Sequence, residues 1–369
     1  MSRIRTPAVV LLSSISIAGV ALLVAADPSI ITHLRAAVVT TSVTVLPRTP
    51  PPEAPTAPIA IASSSAPKIA RAASAATSSA VRLLFVGDIM PSRYVAQKMA
   101  RNGRSYPFRD SAYLTRGADL AFANLESPVT PGRPIANSEM TFRTDPEVLP
   151  ELGRAGFDVV SLANNHTPNW GEAGIRDTMR YLASSSIAFA GAGTTSQAYA
   201  PVFVDAGGMR VAIVAANDTD VVPTRYCASA TRTGTACVDL ARIASVITDA
   251  RASADFVVFT MHAGVEYATS SSARQRQIAR TAIDAGADAV IGHHPHVIQN
   301  EETYKSKPIF YSLGNFIFDQ DLSPATQRGL VVVLNVSRDD KRIVAIERYR
   351  VRIEDYARPV VTSSSTMPF

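Results

Sequence analysis

FDVVSLANNHTPNWGEAGIRDTMRYLASSS, Phe157 to Ser186, holds the transition that decides the fold. It opens as an apolar run of strand length, Phe157 to Ala163. It then breaks into a polar cluster, Asn164, Asn165 and His166. From Gly171 onward the apolar residues recur at helical spacing, as Ile175, Met179 and Leu182. Strand, polar loop and helix in that order make half of a parallel βαβ unit. In sheets of that kind ligands bind beyond the carboxyl ends of the strands, where the Asn-Asn-His cluster falls.

The same punctuation recurs on both sides. VRLLFVGD (81–88) and ADLAFAN (118–124) are apolar runs that end in polar residues. DPEVLPELGRAG (145–156) is amphipathic, and its Gly156 suits a helix C-cap. IAFAGAG (187–193) reads as strand and glycine turn, and PVFVDAGGMRVAIVAAN (201–217) as a hairpin turning at Ala206 to Gly208. VDLARIASVITDARAS (238–253) and SARQRQIARTAIDAGAD (272–288) are helical, the second capped near Gly286. ADFVVFTMHAG (254–264), ADAVIGHHPH (287–296) and KPIFYSLGNF (307–316) are strands. GLVVVLNV and KRIVAIERYRV form a closing hairpin. The alternation predicts one α/β domain over residues 81–355, with stacked sheets and helices outside, followed by a flexible tail at 356–369.

Five of the six histidines lie in three short segments: Leu162–His166, His262–Glu266 and His293–His296. Each follows an apolar run, as do Asp88, Asn124 and Glu126. Taken singly, these residues have plain readings. Asp88 can begin a turn, Glu126 can be solvated, Asn124 and Asn165 can be turn residues, and a lone histidine is most often a satisfied polar side chain. Three segments with one placement favour a metal site assembled from loops. Asp88, Glu126, Asn165, His262, His294 and His296 are the expected ligands. Read as an extended segment, His294-Pro295-His296 would turn both imidazoles to one side. Carboxylate, amide and imidazole donors without thiolate suit Mn, Fe or Zn, as one ion or two. Such an ion polarises a phosphoryl or acyl oxygen and supplies hydroxide near neutral pH. His166 is then free to act as general acid on a leaving oxygen. Asn124, Arg143, Glu266, His293 and Asn315 are expected to contact substrate, with Arg143 holding an anionic group unless it is an ordinary surface arginine.

Pro7 to Ala26 carries no charge and follows Arg3 and Arg5, which fits a membrane anchor with the body outside the cytoplasm. The rival reading is a cleaved signal peptide ending near Ala26, which leaves the body outside as well. The expected anchor or signal spans residues 1–26. Residues 27–80 are rich in Pro, Ala, Ser and Thr and read as a disordered linker. Residues 1–80 hold six of the 36 basic side chains and two of the 31 acidic ones, so the net charge of +5 belongs mostly to them. The body is near neutral and shows no basic patch with interleaved aromatics, which argues against nucleic acid as a partner. Cys227 and Cys237 are the only cysteines, and in an oxidising compartment a local disulfide is the favoured reading over two free thiols.

Taken in order, FVGDIM, FANLESP, FDVVSLANNHTPNWGEAGIRDT, HAGVEY, IGHHPHVIQ and YSLGNFIFD resemble the CapA family of poly-γ-glutamate capsule biosynthesis proteins, over roughly residues 81 to 335. That family is similar in turn to calcineurin-like metallophosphoesterases, which implies a four-layer α/β/β/α sandwich. The phosphoesterase pattern of D-x-H, GD, GNH, a lone His and G-H-x-H places Asp88 first. Glu126 stands for the bridging aspartate, Asn165 and His166 for the third motif, His262 for the lone histidine, and His294 and His296 for the last pair. Met90 occupies the position of the D-x-H histidine, Asn164 and His293 those of two glycines, and His293 is the available substitute for the missing donor. The resemblance implies work at the bacterial cell envelope on an anionic surface polymer or its precursor, beside other capsule-synthesis membrane proteins. It leaves three functions open: a metal-dependent hydrolase, a non-catalytic scaffold or polymer guide with a degenerate site, and a generic extracytoplasmic phosphoesterase. Fold likeness does not decide among them.

Overall fold

The computed structural model describes Ser79–Phe369; the expected anchor and all but the end of the expected linker lie outside the described residues. β1 (Ala80–Ile89) runs through the middle of an eight-stranded sheet. β2 (Leu120–Leu125), β3 (Val159–Ser161) and β4 (Ala188–Ala190) follow it in parallel on one side. The chain reaches β2 through α1 (Arg93–Asn102) and α2 (Ala112–Arg116), β3 through α3 (Leu149–Ala155), and β4 through α4 (Gly171–Ala183).

After a short strand β5 (Ala192–Gly193) and a single-turn helix α5 (Thr195–Ala198), the chain builds a second sheet. Its strands are β6 (Val202–Ala206), β7 (Met209–Asn217), β9 (Phe256–His262), β10 (Ala289–His293), β11 (Glu301–Tyr304) and β12 (Lys307–Phe310), in the order β11-β12-β10-β9-β7-β6. β8 (Gly234–Thr235) pairs with β5, and α6 (Leu240–Arg251) and α7 (Ala273–Asp284) are the crossovers of this sheet. The chain then returns to the first sheet. β13 (Asn315–Ile317) pairs with the end of β1, and β14 (Arg328–Ser337), β15 (Ile343–Glu354) and β16 (Arg358–Pro368) close it as an antiparallel meander.

Period-two alternation along β1 assigns the layers. Leu83 and Phe85 pack between the sheets with Phe122, Val211, Ile213, Val258 and Ile291. Leu84 and Val86 face the other way, with Val95 and Met99 of α1, Leu152 of α3 and Ile175, Met179 and Leu182 of α4. The far face of the second sheet, including Val257, Phe259 and Val290, is covered by Ile243 and Ile247 of α6 and Ile278 and Ile283 of α7. The order is therefore helix, sheet, sheet, helix. Helix α3 ends as read, with Gly156 in the left-handed region at φ 98°.

Two expectations change. Residues 356–369 are no flexible tail: β16 pairs along β15 from Glu354↔Arg358 to Ala345↔Pro368. Serines and threonines hid it, because an edge strand with most side chains in water lacks an apolar alternation. The segment His294–His296 is not extended, since His294 and His296 have φ of 101° and 57°. Among the described residues no helix is long and apolar enough to cross a membrane. Cys227 and Cys237 form a disulfide, with Cα atoms 5.4 Å apart.

Candidate metal centre

Strand register brings the polar residues together. Asp88 lies beside Asn124 of β2 on one flank and Asn315 of β13 on the other. In the second sheet His262 lies between Asn217 and His293. Two glycines allow the backbones to close at this end. A Cβ on Gly87 would sit 2.0 Å from the Gly314 carbonyl oxygen, and one on Gly292 2.0 Å from that of Tyr311. Gly87 directly precedes Asp88, and Gly292 lies two residues before His294, so a side chain at either would push the site apart.

Buried asparagines then set which ring nitrogens carry protons. Asn164 Nδ2 donates to the Leu125 carbonyl at 2.9 Å and to Asn124 Oδ1 at 3.0 Å. Asn124 therefore turns its Nδ2 inward, to Asp88 at 2.8 Å, Glu126 at 3.3 Å and His262 Nδ1 at 3.3 Å. His262 Nε2 lies 2.9 Å from Asn165 Oδ1. Asn315 Nδ2 donates to the Thr326 carbonyl at 2.9 Å, so its Oδ1 accepts from His296 Nδ1, also at 2.9 Å. The other ring nitrogen of His296, Nε2, lies 3.7 Å from Glu126 Oε1.

Glu126 is the centre of the arrangement. Its Oε1 faces His296, His262 at 3.9 Å and His166 at 4.0 Å, yet it is buried with no hydrogen-bond partner among the described residues. Burial, then the charges of Asp88 and Glu266, raise its pKa well above the usual carboxylate value. An orphaned buried acceptor costs about 1–3 kcal/mol, more when charged. His294 Nδ1 is likewise buried without a partner. Burial pushes the His294 ring down to about 3 and that of His262 well below its ordinary value, so both imidazoles are neutral. His294 keeps a free Nδ1, whereas His262 has Asn124 and Asn165 at its two nitrogens and would give up one of these contacts to bind an ion. For Asp88, burial works upward, but the hydrogen bond with His296 and the nearby imidazoles bring the pKa down. Ionised Asp88, orphaned Glu126 oxygen and neutral imidazoles fit a divalent cation. His294 and His296 also hold positive φ at non-glycine positions, strain of about 1–3 kcal/mol each that is typical of ligand sites.

The remaining expected residues separate clearly. His166 is at the cluster: it stacks on Phe142 at 3.9 Å, and burial pushes its pKa down to about 4. Glu266, at the exposed mouth, has a carboxylate oxygen within 4.8 Å of ligand nitrogens of His294 and His296. Asn315 is buried and accepts from His296, so what it does in the described structure is orient that ring. His293 is corrected outright. Its Nε2 bonds the Val86 carbonyl at 3.1 Å and its Nδ1 lies 3.3 Å from the Thr260 hydroxyl, which uses both nitrogens in bracing β10 against β1 and β9. It has no nitrogen left to substitute for the donor missing at Met90. Arg143 spends Nε on the Arg133 carbonyl at 2.9 Å and Nη1 on that of Thr130 at 2.7 Å, so it is a loop brace and no ordinary surface arginine.

Sequence reading missed Asn164, Asn169, Phe142 and the buried pair of Arg93 and Asp319. Asn164 accepts at Oδ1 from the backbone N–H of both His166 and Thr167 and so shapes the loop. Arg93 bonds Asp319 and lies over the far side of the aromatic wall, 4.7 Å from the Phe142 ring centre. Asn164, Asn169 and Arg93 carried no signal beyond proximity in sequence to His166 or Asp88, Phe142 carried none, and Asp319 ends the segment YSLGNFIFD.

Comparison with known proteins gives concordant matches. The family described as "Bacterial capsule synthesis protein PGA_cap" matches residues 82–320. The "PGA biosynthesis protein CapA" of Bacillus subtilis (strain 168) is 36% identical over 251 residues, 67% of this chain and 66% of that protein. The "Capsule biosynthesis protein CapA" of Bacillus anthracis is 33% identical over 258 residues, 68% of this chain and 62% of the relative. The chain thus spans slightly less than two thirds of the length of these relatives. Among solved structures, the calcineurin-like phosphoesterase YfkN from Bacillus subtilis aligns at 14% identity and TM-score 0.45, covering 78% of this chain and 90% of that one. The chain belongs to the bacterial capsule synthesis protein PGA_cap family.

Proposed function

We propose that this protein is a metal-dependent hydrolase of the cell envelope that acts in capsule polymer biosynthesis, on an anionic poly-γ-glutamate-like polymer or its phosphorylated or amide-linked precursor. The observation that carries the reading is the buried, unpartnered Glu126 Oε1 facing three imidazoles. Family membership supports the capsule assignment. Asp88, Glu126, Asn165, His262, His294 and His296 would hold one or two divalent ions, Mn, Fe or Zn. When bound, such an ion polarises a phosphoryl or acyl oxygen and makes hydroxide accessible near neutral pH.

The chain's own part is orientation and proton movement. Asn169 Oδ1 accepts the Phe142 backbone N–H at 2.7 Å and therefore accepts from His166 Nδ1 at 2.9 Å. His166 Nε2 is then the unprotonated nitrogen facing the cluster. It takes the proton of the attacking water and returns it to the leaving oxygen, so the expected general acid works as a base before it works as an acid. Phe142 and Phe318 wall off water on the His166 and His296 side. In this reading Pro7–Ala26 tethers the body outside the cytoplasm, beside other membrane proteins of capsule synthesis.

A second reading, a non-catalytic scaffold or polymer guide, is favoured by one observation. Met90 packs with Phe142, Phe318 and Ile353 and offers no ligand where a phosphoesterase has histidine. Elemental analysis of the purified protein, with a hydrolysis screen over phosphate esters and γ-glutamyl substrates, separates the readings. Hydrolysis lost in His166→Ala supports the enzyme. Tightly held metal without turnover supports the scaffold. Turnover of simple phosphate esters alone indicates a generic phosphoesterase.

A further inference from the structure

The Asp88 side of the cluster is short of a donor. Asp88, Glu126 and His296 bring ligand atoms within 4.8 Å of one another, all three buried. Met90 adds nothing, because its thioether lies in an apolar contact with Phe142, Phe318 and Ile353. Both nitrogens of His293 are used elsewhere. A second group of ligand atoms shares His296 with this one and adds one further carboxylate side chain.

That side chain is Glu266. Its loop is held over the cluster from both ends. Gly264 passes so close to Gln275 that a Cβ would meet the side-chain amide at 2.6 Å, with φ at 118°. Tyr267 donates its backbone N–H to the Pro295 carbonyl at 2.8 Å, which locks the loop to the turn that carries His294 and His296. Between these two anchors the Glu266 carboxylate comes within 4.8 Å of ligand nitrogens of both histidines. His294 brings to that group a buried Nδ1 with no partner among the described residues. A carboxylate at the mouth is unsuited to contacting an anionic polymer, since like charges repel, but it suits a cation.

We infer that Glu266 is an inner ligand of a divalent ion, supplying from the β9–α7 loop a carboxylate beside His294 and His296. The inference rests on the metal-site reading proposed above. It makes the centre richer in carboxylate than the phosphoesterase pattern, with Glu266 beside His294 and His296, and His296 shared with the Asp88 and Glu126 group. Added hard oxygen shifts preference from zinc towards manganese. Because Glu266 alone among these ligands is exposed, it is also the one that solvent or an arriving substrate oxygen can displace.

The test uses the full-length protein stripped with chelator and titrated with Mn²⁺, following heat by calorimetry and free Mn²⁺ by electron paramagnetic resonance. Glu266→Gln should weaken at least one Mn²⁺ equivalent about tenfold or more, while its circular dichroism matches the parent. Glu266→Asp should recover part of the affinity. In Co²⁺-loaded protein the visible absorption should change with Glu266→Gln, as coordination changes. Unchanged Mn²⁺ affinity, stoichiometry and Co²⁺ spectrum in Glu266→Gln would overturn the inference and leave the metal site standing. Absence of tight Mn²⁺ binding in the parent, with no effect of His296→Ala, would overturn the metal-site reading itself, and this inference with it.

Discussion

His166 and Asn169 form an oriented pair: Asn169 Oδ1 accepts from His166 Nδ1 at 2.9 Å while the Phe142 backbone N–H fixes that oxygen from the other side at 2.7 Å. The proton on His166 is thereby confined to Nδ1, and Nε2 faces Glu126. His166→Ala should cut turnover by about 10²–10⁴ and leave metal content unchanged by elemental analysis. Asn169→Asp keeps the acceptor and should retain most activity, whereas Asn169→Leu should lose it. Equal metal loss in His166→Ala and His296→Ala would make His166 a ligand.

His296 is held in the same manner by Asn315, and here the consequence is affinity. His296→Ala and His294→Ala each remove a donor nitrogen and should lower metal content directly. Asn315→Ala leaves every ligand in place but frees the His296 ring and its tautomer, so metal affinity should fall about 10–100-fold. Titration of the stripped protein measures both effects. An Asn315→Ala protein with parental affinity would show that strand pairing alone orients His296.

Most of this was legible in the sequence, for a physical reason. Buried parallel strands leave continuous apolar runs, so VRLLFVGD, ADFVVFTMHAG and ADAVIGHHPH announced both the sheets and the polar residues at their ends. What stayed hidden depends on the third dimension. His293 and His294 are neighbours, yet one braces β10 against β1 and the other joins the cluster, because the backbone turns between them with φ 101° at His294. Met90 and Arg143 looked functional by position and proved to be packing and loop-bracing residues. Asn164 and Asn169 were silent because an asparagine in a loop reads as a turn until its partners are known.

Met90 sits in a small apolar cluster and is fully buried. Met90→Leu conserves volume and should cost less than about 1.5 kcal/mol. Met90→His would place an imidazole among Phe142, Phe318 and Ile353, with no polar partner in that cluster, and should cost about 1–3 kcal/mol. Denaturant titration gives these differences, and metal stoichiometry should not change in either variant. A second tight ion in Met90→His would mean that the side chain can swing to Asp88, and would revive the two-metal pattern.

On the far side of the first sheet, Glu347 links three residues: it accepts from Arg82 at 2.5 Å, Tyr349 at 2.6 Å and Asn335 at 2.9 Å. Burial favours its neutral form, but the hydrogen bonds from Tyr349 and Asn335 and the Arg82 charge prevail, so its pKa lies below the ordinary carboxylate value. A depressed folded-state pKa contributes stability that is fully present above the unfolded value of about 4.3. That contribution is lost as pH falls through the folded value. Glu347→Gln should therefore be less stable than the parent at pH 7, with the gap closing below about pH 4. A gap that is constant from pH 7 to pH 3 would show that ionised Glu347 contributes nothing.

Glu126 sets function against stability most sharply. Its buried Oε1 has no donor among the described residues, its pKa is driven up by burial and by Asp88, and the ligands around it include two residues with positive φ. Without a cation, this end of the sandwich is the least satisfied part of the described core. Chelator treatment should therefore lower Tm, and added Mn²⁺ or Zn²⁺ should raise it progressively with ion concentration, the added stability being about 2.7 kcal/mol at a hundred times Kd. Glu126→Gln keeps the shape but cannot ionise, and it adds an N–H₂ that can donate to Asp88. In metal-free form this variant should be more stable than the metal-free parent. It should bind ions far more weakly, and its Tm should no longer respond to them. Thermal melts of both proteins, stripped and reloaded, give the comparison. A metal-free Glu126→Gln that melts below the metal-free parent would mean that Glu126 is satisfied without an ion, and the strongest physical argument for a metal centre would fall.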